Sequence, residues 1–411
     1  MNGPIRSLKR SAALSLPIVL AFASLVPVSA ADSSTDDQTL ETLGLGDSLV
    51  SDAVAGVASD PTVWAAGDLS RVPGGALSPQ IAVSDIAVNA SANWGVLALG
   101  DTQYGQGQLS EYNGSFACGM GWPDTTCSLP ALANWGRLVG NMYTTPGDHD
   151  WKSGSIHDYV TWFSDSANGH AEHPPGPGTS SADWYSFNFG TWHWLSLDST
   201  CFSDTHGCQG AESSFIKDDL ANLDHSKYQC IGVIMAEPRF TSGIKHGSDT
   251  SLSPLWDLLM PGGNNPGGAN VYRNADLILA GHEHEYERFA LQDSSATATS
   301  AGIREFVVGT GGAAHNGMPF GGTMGNIYDP GCHTDGCLPT PSECIQDFSQ
   351  AVCSVTPITN SQIGNDNTFG MLELKLQAAS YLWKFVPTSD PSYGLFTDPL
   401  GGGFGSHVCH T

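Results

Sequence analysis

The segment Asp276–Phe289, DLILAGHEHEYERF, restricts the fold of this chain more than any other stretch. Its apolar run Leu277–Ala280 has the length of a buried strand, and Gly281 stops that run just before two histidines spaced by one residue. Side chains two apart in extended chain share a face, so His282 and His284 are expected to converge on one point at the strand mouth. Two imidazoles in that position point to a metal. The same punctuation recurs upstream with carboxylates. Thr62–Ala66 ends in Gly67-Asp68, Trp94–Leu99 in Gly100-Asp101, and Met142–Thr145 leads into Pro146-Gly147-Asp148-His149-Asp150. Cys230–Ala236 closes on Glu237-Pro238. A single Gly-Asp is an ordinary turn, whereas this series predicts one shared rim, because ligands of α/β proteins bind where strands end at their carboxyl edges.

Between these strands the pattern turns helical, at Leu129–Val139, Ile156–Phe163, Phe215–Leu223 and Leu252–Leu259. Trp184–Leu197 reads as an antiparallel pair turning at Gly190-Thr191, Ile303–Val308 as a further strand, and Phe369–Leu376 with Ser380–Val386 as a closing hairpin. The alternation predicts an α/β protein with one large domain over residues 61–411. Within it, about 313–365 is rich in Gly, Pro, Asn and Cys and reads as a long disulfide-tied excursion. Residues 1–30 read as a secretory signal, with Arg6, Lys9 and Arg10 before an apolar middle and Val28-Ser29-Ala30 as the cleavage site. Residues 31–60 are polar and acidic, as a linker or pro-segment would be.

Ten cysteines, all beyond the signal and even in number, agree with export to an oxidising compartment, extracellular or periplasmic. Cys201 with Cys208 and Cys118 with Cys127 are spaced as local pairs. Asn89 and Asn113 head glycosylation acceptor triplets. The 41 acidic residues against 15 basic ones repel polyphosphate backbones, which excludes nucleic-acid binding by a basic face. No later segment is apolar enough for a stable membrane anchor, and a small substrate is the expected partner.

The ordered series Gly67-Asp68, Gly100-Asp101 with Tyr104, Gly147-Asp148-His149-Asp150, Val233 to Ala236, and Gly281-His282 with His284 resembles the motifs of the calcineurin-like metallophosphoesterases. Within that family it resembles the purple acid phosphatase branch and looks like its secreted bacterial-type members. Pro238-Arg239-Phe240, His246-Gly247-Ser248-Asp249 and Tyr286–Phe289 extend the resemblance over about residues 62–410. It implies a four-layer α/β/β/α sandwich of two mixed sheets with a metal site between the strand ends. Carried onto this chain, it implies a first metal, iron, on Asp68, Asp101, Tyr104 and His284, with Asp101 bridging to a second ion of zinc, manganese or iron. The second ion keeps His282, but the family's asparagine and second histidine are here Asp148 and Ala236. The centre is therefore dinuclear or, if the second ion is lost, mononuclear, with Glu237 as a possible substitute donor.

The activity implied is hydrolysis of a small phosphorylated substrate, a phosphomonoester, by attack of a metal-bound hydroxide. His149, His246 and Arg239 are the candidates for proton transfer and phosphate contact. Replacing asparagine by Asp148 adds a charge worth roughly 4 kcal/mol at about 4 Å and an effective dielectric near 20, favouring a cation and opposing a phosphate dianion. Two alternatives stand beside this reading: a phosphodiesterase, and a degenerate member of the fold retained as an exported binding or structural domain.

Overall fold

The computed structural model describes residues 60–71, 79–117, 134–165, 183–203, 207–260, 273–316, 318, 358–399 and 402–410. The signal segment, nearly all of the acidic stretch 31–60, Cys118 with Cys127, and most of the expected excursion lie outside them. In chain order the strands are β1 (Thr62–Ala66), β2 (Gly95–Leu99), β3 (Met142–Thr145), β4 (Tyr185–Phe189), β5 (Trp192–Ser196), β6 (Cys230–Ile234) and β7 (Leu277–Ala280). Then come β8 (Tyr286–Phe289), β9 (Arg304–Val308), β10 (Ser361–Asn365), β11 (Gly370–Leu376), β12 (Ser380–Pro387) and β13 (Gly405–Val408).

They form two mixed sheets. One has the order β13-β12-β11-β1-β2-β3, with β1, β2 and β3 parallel; the other has the order β10-β8-β9-β7-β6-β5-β4, with β5, β6, β7 and β9 parallel. The parallel strands are apolar on both faces because both faces are covered. Val63, Ala65, Leu97 and Leu99 meet Ile234, Leu277 and Leu279 in the core between the sheets. The alternate residues, Trp64, Ala66, Val96, Ala98, Val233, Ile278 and Ala280, join a second core with helical side chains. Those side chains include Val83 and Ala87 of the helix Pro79–Val88, Ile216 and Leu220 of Gln209–Asn222, and Trp256 of Ser253–Leu259. Helices thus flank two packed sheets, the four-layer arrangement expected from the sequence.

Two expectations about elements need correction. Ser361–Asn365, placed at the end of the excursion, is an edge strand paired antiparallel with β8. Its sequence SQIGN is polar and half-buried, so the alternation that marks a strand is missing. Of the helix expected at Leu129–Val139, the described part, Asn134–Asn141, is a 3-10 helix. Cys201 is bonded to Cys208 as its spacing implied, and Cys230 to Cys409, a pairing across 179 residues that spacing does not reveal. Among the described residues no helix is long and apolar enough to cross a membrane.

Candidate metal centre

The carboxyl ends of the parallel strands of both sheets meet because glycine lets their backbones touch. A Cβ on Gly67 would lie 2.6 Å from the Leu99 carbonyl oxygen and 2.9 Å from the Gly281 Cα, so no larger residue fits after β1. Gly67 also donates to the Val308 carbonyl at 2.8 Å, which ties the end of β1 to that of β9 in the other sheet. Immediately beyond these contacts Asp68 (φ 60°), Asp101 (φ 42°) and His282 (φ 67°) occupy the left-handed region, each at a cost on the order of 1–3 kcal/mol. Hydrogen bonds hold them there. Asp68 N–H donates to Gly100 O at 3.2 Å, Leu69 N–H to Asp101 O at 3.0 Å, and His282 N–H to Asp68 Oδ2 at 2.8 Å. The extended geometry expected for His282 and His284 is therefore not found. The chain turns at both residues, and the two imidazoles reach different partners instead of one point.

Asp68, Asp101 and His284 each offer a ligand atom, all within 4.8 Å of one another and all buried. The Tyr104 hydroxyl donates to Asp68 Oδ1 and lies 2.6 Å from His284 Nε2, which is itself 3.2 Å from Asp68 Oδ1. His284 Nδ1 faces the Ala314 carbonyl oxygen, which only accepts. Nδ1 therefore carries the proton and Nε2 presents its lone pair to the carboxylates, the tautomer a metal-binding imidazole needs. Burial and the negative charges of Asp148 and Asp68 push the Asp101 carboxyl well above its usual range. Burial together with Asp101 and Asp68 does the same to the Tyr104 phenol. Such crowding of acids is what a cation relieves, and the donors fit a hard first-row ion.

A second group shares Asp101. Ligand atoms of Asp101, Asp148 and His149 also lie within 4.8 Å of one another, and His282 Nδ1 is 3.2 Å from Asp148 Oδ1. Burial opposes a charge on His282, yet Asp148 beside it pushes the imidazole up to about 10, while His282 in turn holds Asp148 low. Gly147 cradles the shared carboxylate, since a Cβ there would sit 2.2 Å from Asp101 Oδ1. The turn is fixed by Asp150, whose oxygens accept from Thr102 Oγ1 at 2.7 Å, Gly147 N at 2.9 Å and the Tyr112 hydroxyl at 2.5 Å. Ala236 contributes a methyl group packed on Gly100.

The remaining candidates divide. Glu237 is buried with both oxygens taken by the hydroxyls of Ser199 and Thr200, so it joins neither donor group. β6 ends at Ile234, and the turn that follows sends Glu237 toward the helix Ser199–Ser203. Arg239 is likewise directed away, its guanidinium donating to Ser253 Oγ at 3.1 Å and to the Ser294 carbonyl at 2.7 Å. His246 does reach the centre, with its ring 4.1 Å from that of His282, and the His149 ring lies 4.3 Å from that of Tyr104, tilted by 49°. Sequence reasoning missed Lys245. Burial lowers the pKa of its ammonium group, and the charges of Glu283, Asp148, Asp68 and Asp101 act to raise it. The only sequence signal was its position next to His246.

This fold and this pair of carboxylate and imidazole groups define a metallophosphoesterase fold of the purple acid phosphatase-like kind. Purple acid phosphatases 22 and 21 of Arabidopsis thaliana match the chain with 24% identity over 204 residues and 25% identity over 168 residues. The matches cover 46% and 39% of this chain but 43% and 35% of those relatives, under half their length. Among solved structures, the purple acid phosphatase PPD1 from yellow lupin (Lupinus luteus) seeds superposes with a TM-score of 0.51 at 17% identity, over 81% of this chain and 52% of that one. No family model matches the chain.

Proposed function

We propose that this protein is an exported, metal-dependent phosphoester hydrolase acting on a small phosphomonoester. The observation that carries this reading is the pair of donor groups sharing Asp101 at the ends of strands from both sheets. Asp68, Asp101, Tyr104 and His284 would hold one ion, with iron suited to the phenolate; Asp101, Asp148 and His282 would hold a second, divalent or iron. Bound ions would supply Lewis acidity and charge neutralisation for the phosphoryl group. Lys245 offsets the excess of carboxylates that would otherwise repel a phosphate dianion. His246, on the same loop, stands beside His282 where a leaving group can take or share a proton. The degenerate alternative is disfavoured by the first donor group, where Asp68, Asp101 and His284 are buried with their ligand atoms within 4.8 Å of one another, a clustering a decayed site has no reason to keep. Export is supported by the two disulfides among the described residues.

The test is metal content per chain alongside hydrolysis of an aryl phosphate monoester and the matching diester. Monoester hydrolysis that is lost on chelation and regained with added metal is the expected result. A metal-loaded protein inert toward both substrates would refute an enzymatic role, and preference for the diester would reassign it.

A further inference from the structure

At the second group the buried His149 Nδ1 has no hydrogen-bond partner, while Asp148 Oδ1 and His282 Nδ1 face each other as an ion pair at 3.2 Å. A buried imidazole nitrogen or carboxylate oxygen left unpaired costs on the order of 1–3 kcal/mol, and natural structures rarely leave one so. Ligand atoms of Asp101, Asp148 and His149 lie within 4.8 Å of one another, a grouping that one cation would satisfy. His149 is poised for the same centre, because its backbone N–H donates to Asp101 Oδ1 at 3.0 Å and a ring nitrogen lies within 4.8 Å of the carboxylates of Asp101 and Asp148.

We propose that His149 is a ligand of the second metal in this protein and makes up for the donor that Ala236 cannot provide. The site is then Asp101, Asp148, His149 and His282, two oxygens and two nitrogens, a set suited to zinc or a similar divalent ion. Asp148 and His149 are consecutive residues in the first turn of the helix Asp148–Trp151, so one short element delivers both. The site is rewired from the β6 strand end, where Ala236 packs its methyl group on Gly100, to the turn after β3. The role also removes His149 from proton transfer, since its coordinating nitrogen is committed.

The inference rests on the two-metal reading above, and it is tested by metal binding instead of turnover. Wild-type protein, His149→Ala, and His149→Ala combined with Ala236→His are loaded with iron and zinc, dialysed, and analysed for metal per chain, with the iron–phenolate absorbance as an internal check on the first site and the fold. Two ions are expected in the wild type. In His149→Ala the first is retained with its colour and the affinity for zinc falls by at least tenfold. The histidine at position 236 is expected to restore the second ion. If His149→Ala keeps zinc as tightly as the wild type, or if the wild type binds one ion only, the proposal is overturned. Two ions in the wild type and one in His149→Ala, without hydrolysis of any phosphoester, would uphold the proposal and refute the enzymatic reading.

Discussion

At the scale of single residues, Tyr104 and Lys245 carry the most direct consequences. The Tyr104 hydroxyl sits between Asp68 Oδ1 and His284 Nε2, so the phenol occupies the first donor group without any movement of the chain. Iron-loaded protein is expected to show a visible phenolate-to-iron band that Tyr104→Phe abolishes; a band surviving in that variant, read by absorbance, removes Tyr104 from the ligand set. Lys245 carries a charge favoured by Glu283 and the three aspartates of the centre. Lys245→Met is expected to raise KM for an aryl phosphate about tenfold, roughly 1.4 kcal/mol, with metal content unchanged. Lys245→Arg should recover most of that loss, because charge at this position matters more than the shape of the donor.

At the scale of elements, the loop after β6 is held over the metal centre by a row of buried acids. Glu305 accepts from Arg239 N and Phe240 N, both at 2.9 Å, and Glu287 from Ser242 N and Oγ, both at 2.7 Å. Glu285 accepts from Thr241 Oγ1 at 2.7 Å, and Glu283 from His246 N and Gly247 N. In HEHEYE, Glu283, Glu285 and Glu287 grip the loop, while the intervening histidines face the ligand groups. The donors are local backbone groups of a loop, and nothing in the glutamates' own sequence names that partner. Glu287→Ala strands the Ser242 amide and hydroxyl and is expected to cost on the order of 2–3 kcal/mol in urea unfolding. It should also raise KM, since the loop carries Lys245 and His246. Unchanged stability in that variant would show that the loop is not held this way.

For the whole molecule, the disulfide from Cys230 to Cys409 anchors the segment after β13 to the interior strand β6. Cys409→Ser is expected to lower stability by about 2–5 kcal/mol while leaving metal content intact, measured by urea unfolding and metal analysis. Buried carboxyls set a pH dependence. Burial pushes Glu305 up to about 8 and Glu287 up to about 7 from an ordinary 4.5. A group raised on folding contributes stability that is fully present below its unfolded pKa and is lost as pH rises through the folded one. Metal-free protein should therefore lose a Glu305-dependent share of its urea resistance between pH 6.5 and pH 8.5, read as the difference from Glu305→Gln because unfolded histidines are half protonated at the lower end and add their own dependence. The share from Glu305 is on the order of 2 kcal/mol, and Glu305→Gln should flatten the dependence by that amount. A pH dependence of the urea midpoint that is the same in Glu305→Gln as in the wild type would contradict the assignment.

The strands, their two-sided burial and the carboxylates at their tips were legible in the sequence, because a glycine after an apolar run marks both the end of a strand and the close approach behind it. Asp68, Asp101, Tyr104 and His284 follow from that local punctuation and from the motif resemblance, and the structure gathers them. Tertiary structure alone decided where the side chains point beyond the strand ends. His282 and His284 part because His282 turns left-handed, Glu237 is drawn to the hydroxyls of Ser199 and Thr200, and Arg239 is drawn to Ser253 and Ser294. His149 reaches the centre through a turn that Asp150 fixes with Thr102, Tyr112 and Gly147, and His246 through a loop whose amides Glu283 accepts. Local periodicity encodes which face of an element is buried. The direction of a donor in a turn is set by hydrogen bonds from distant segments, which exist only once both sheets have packed.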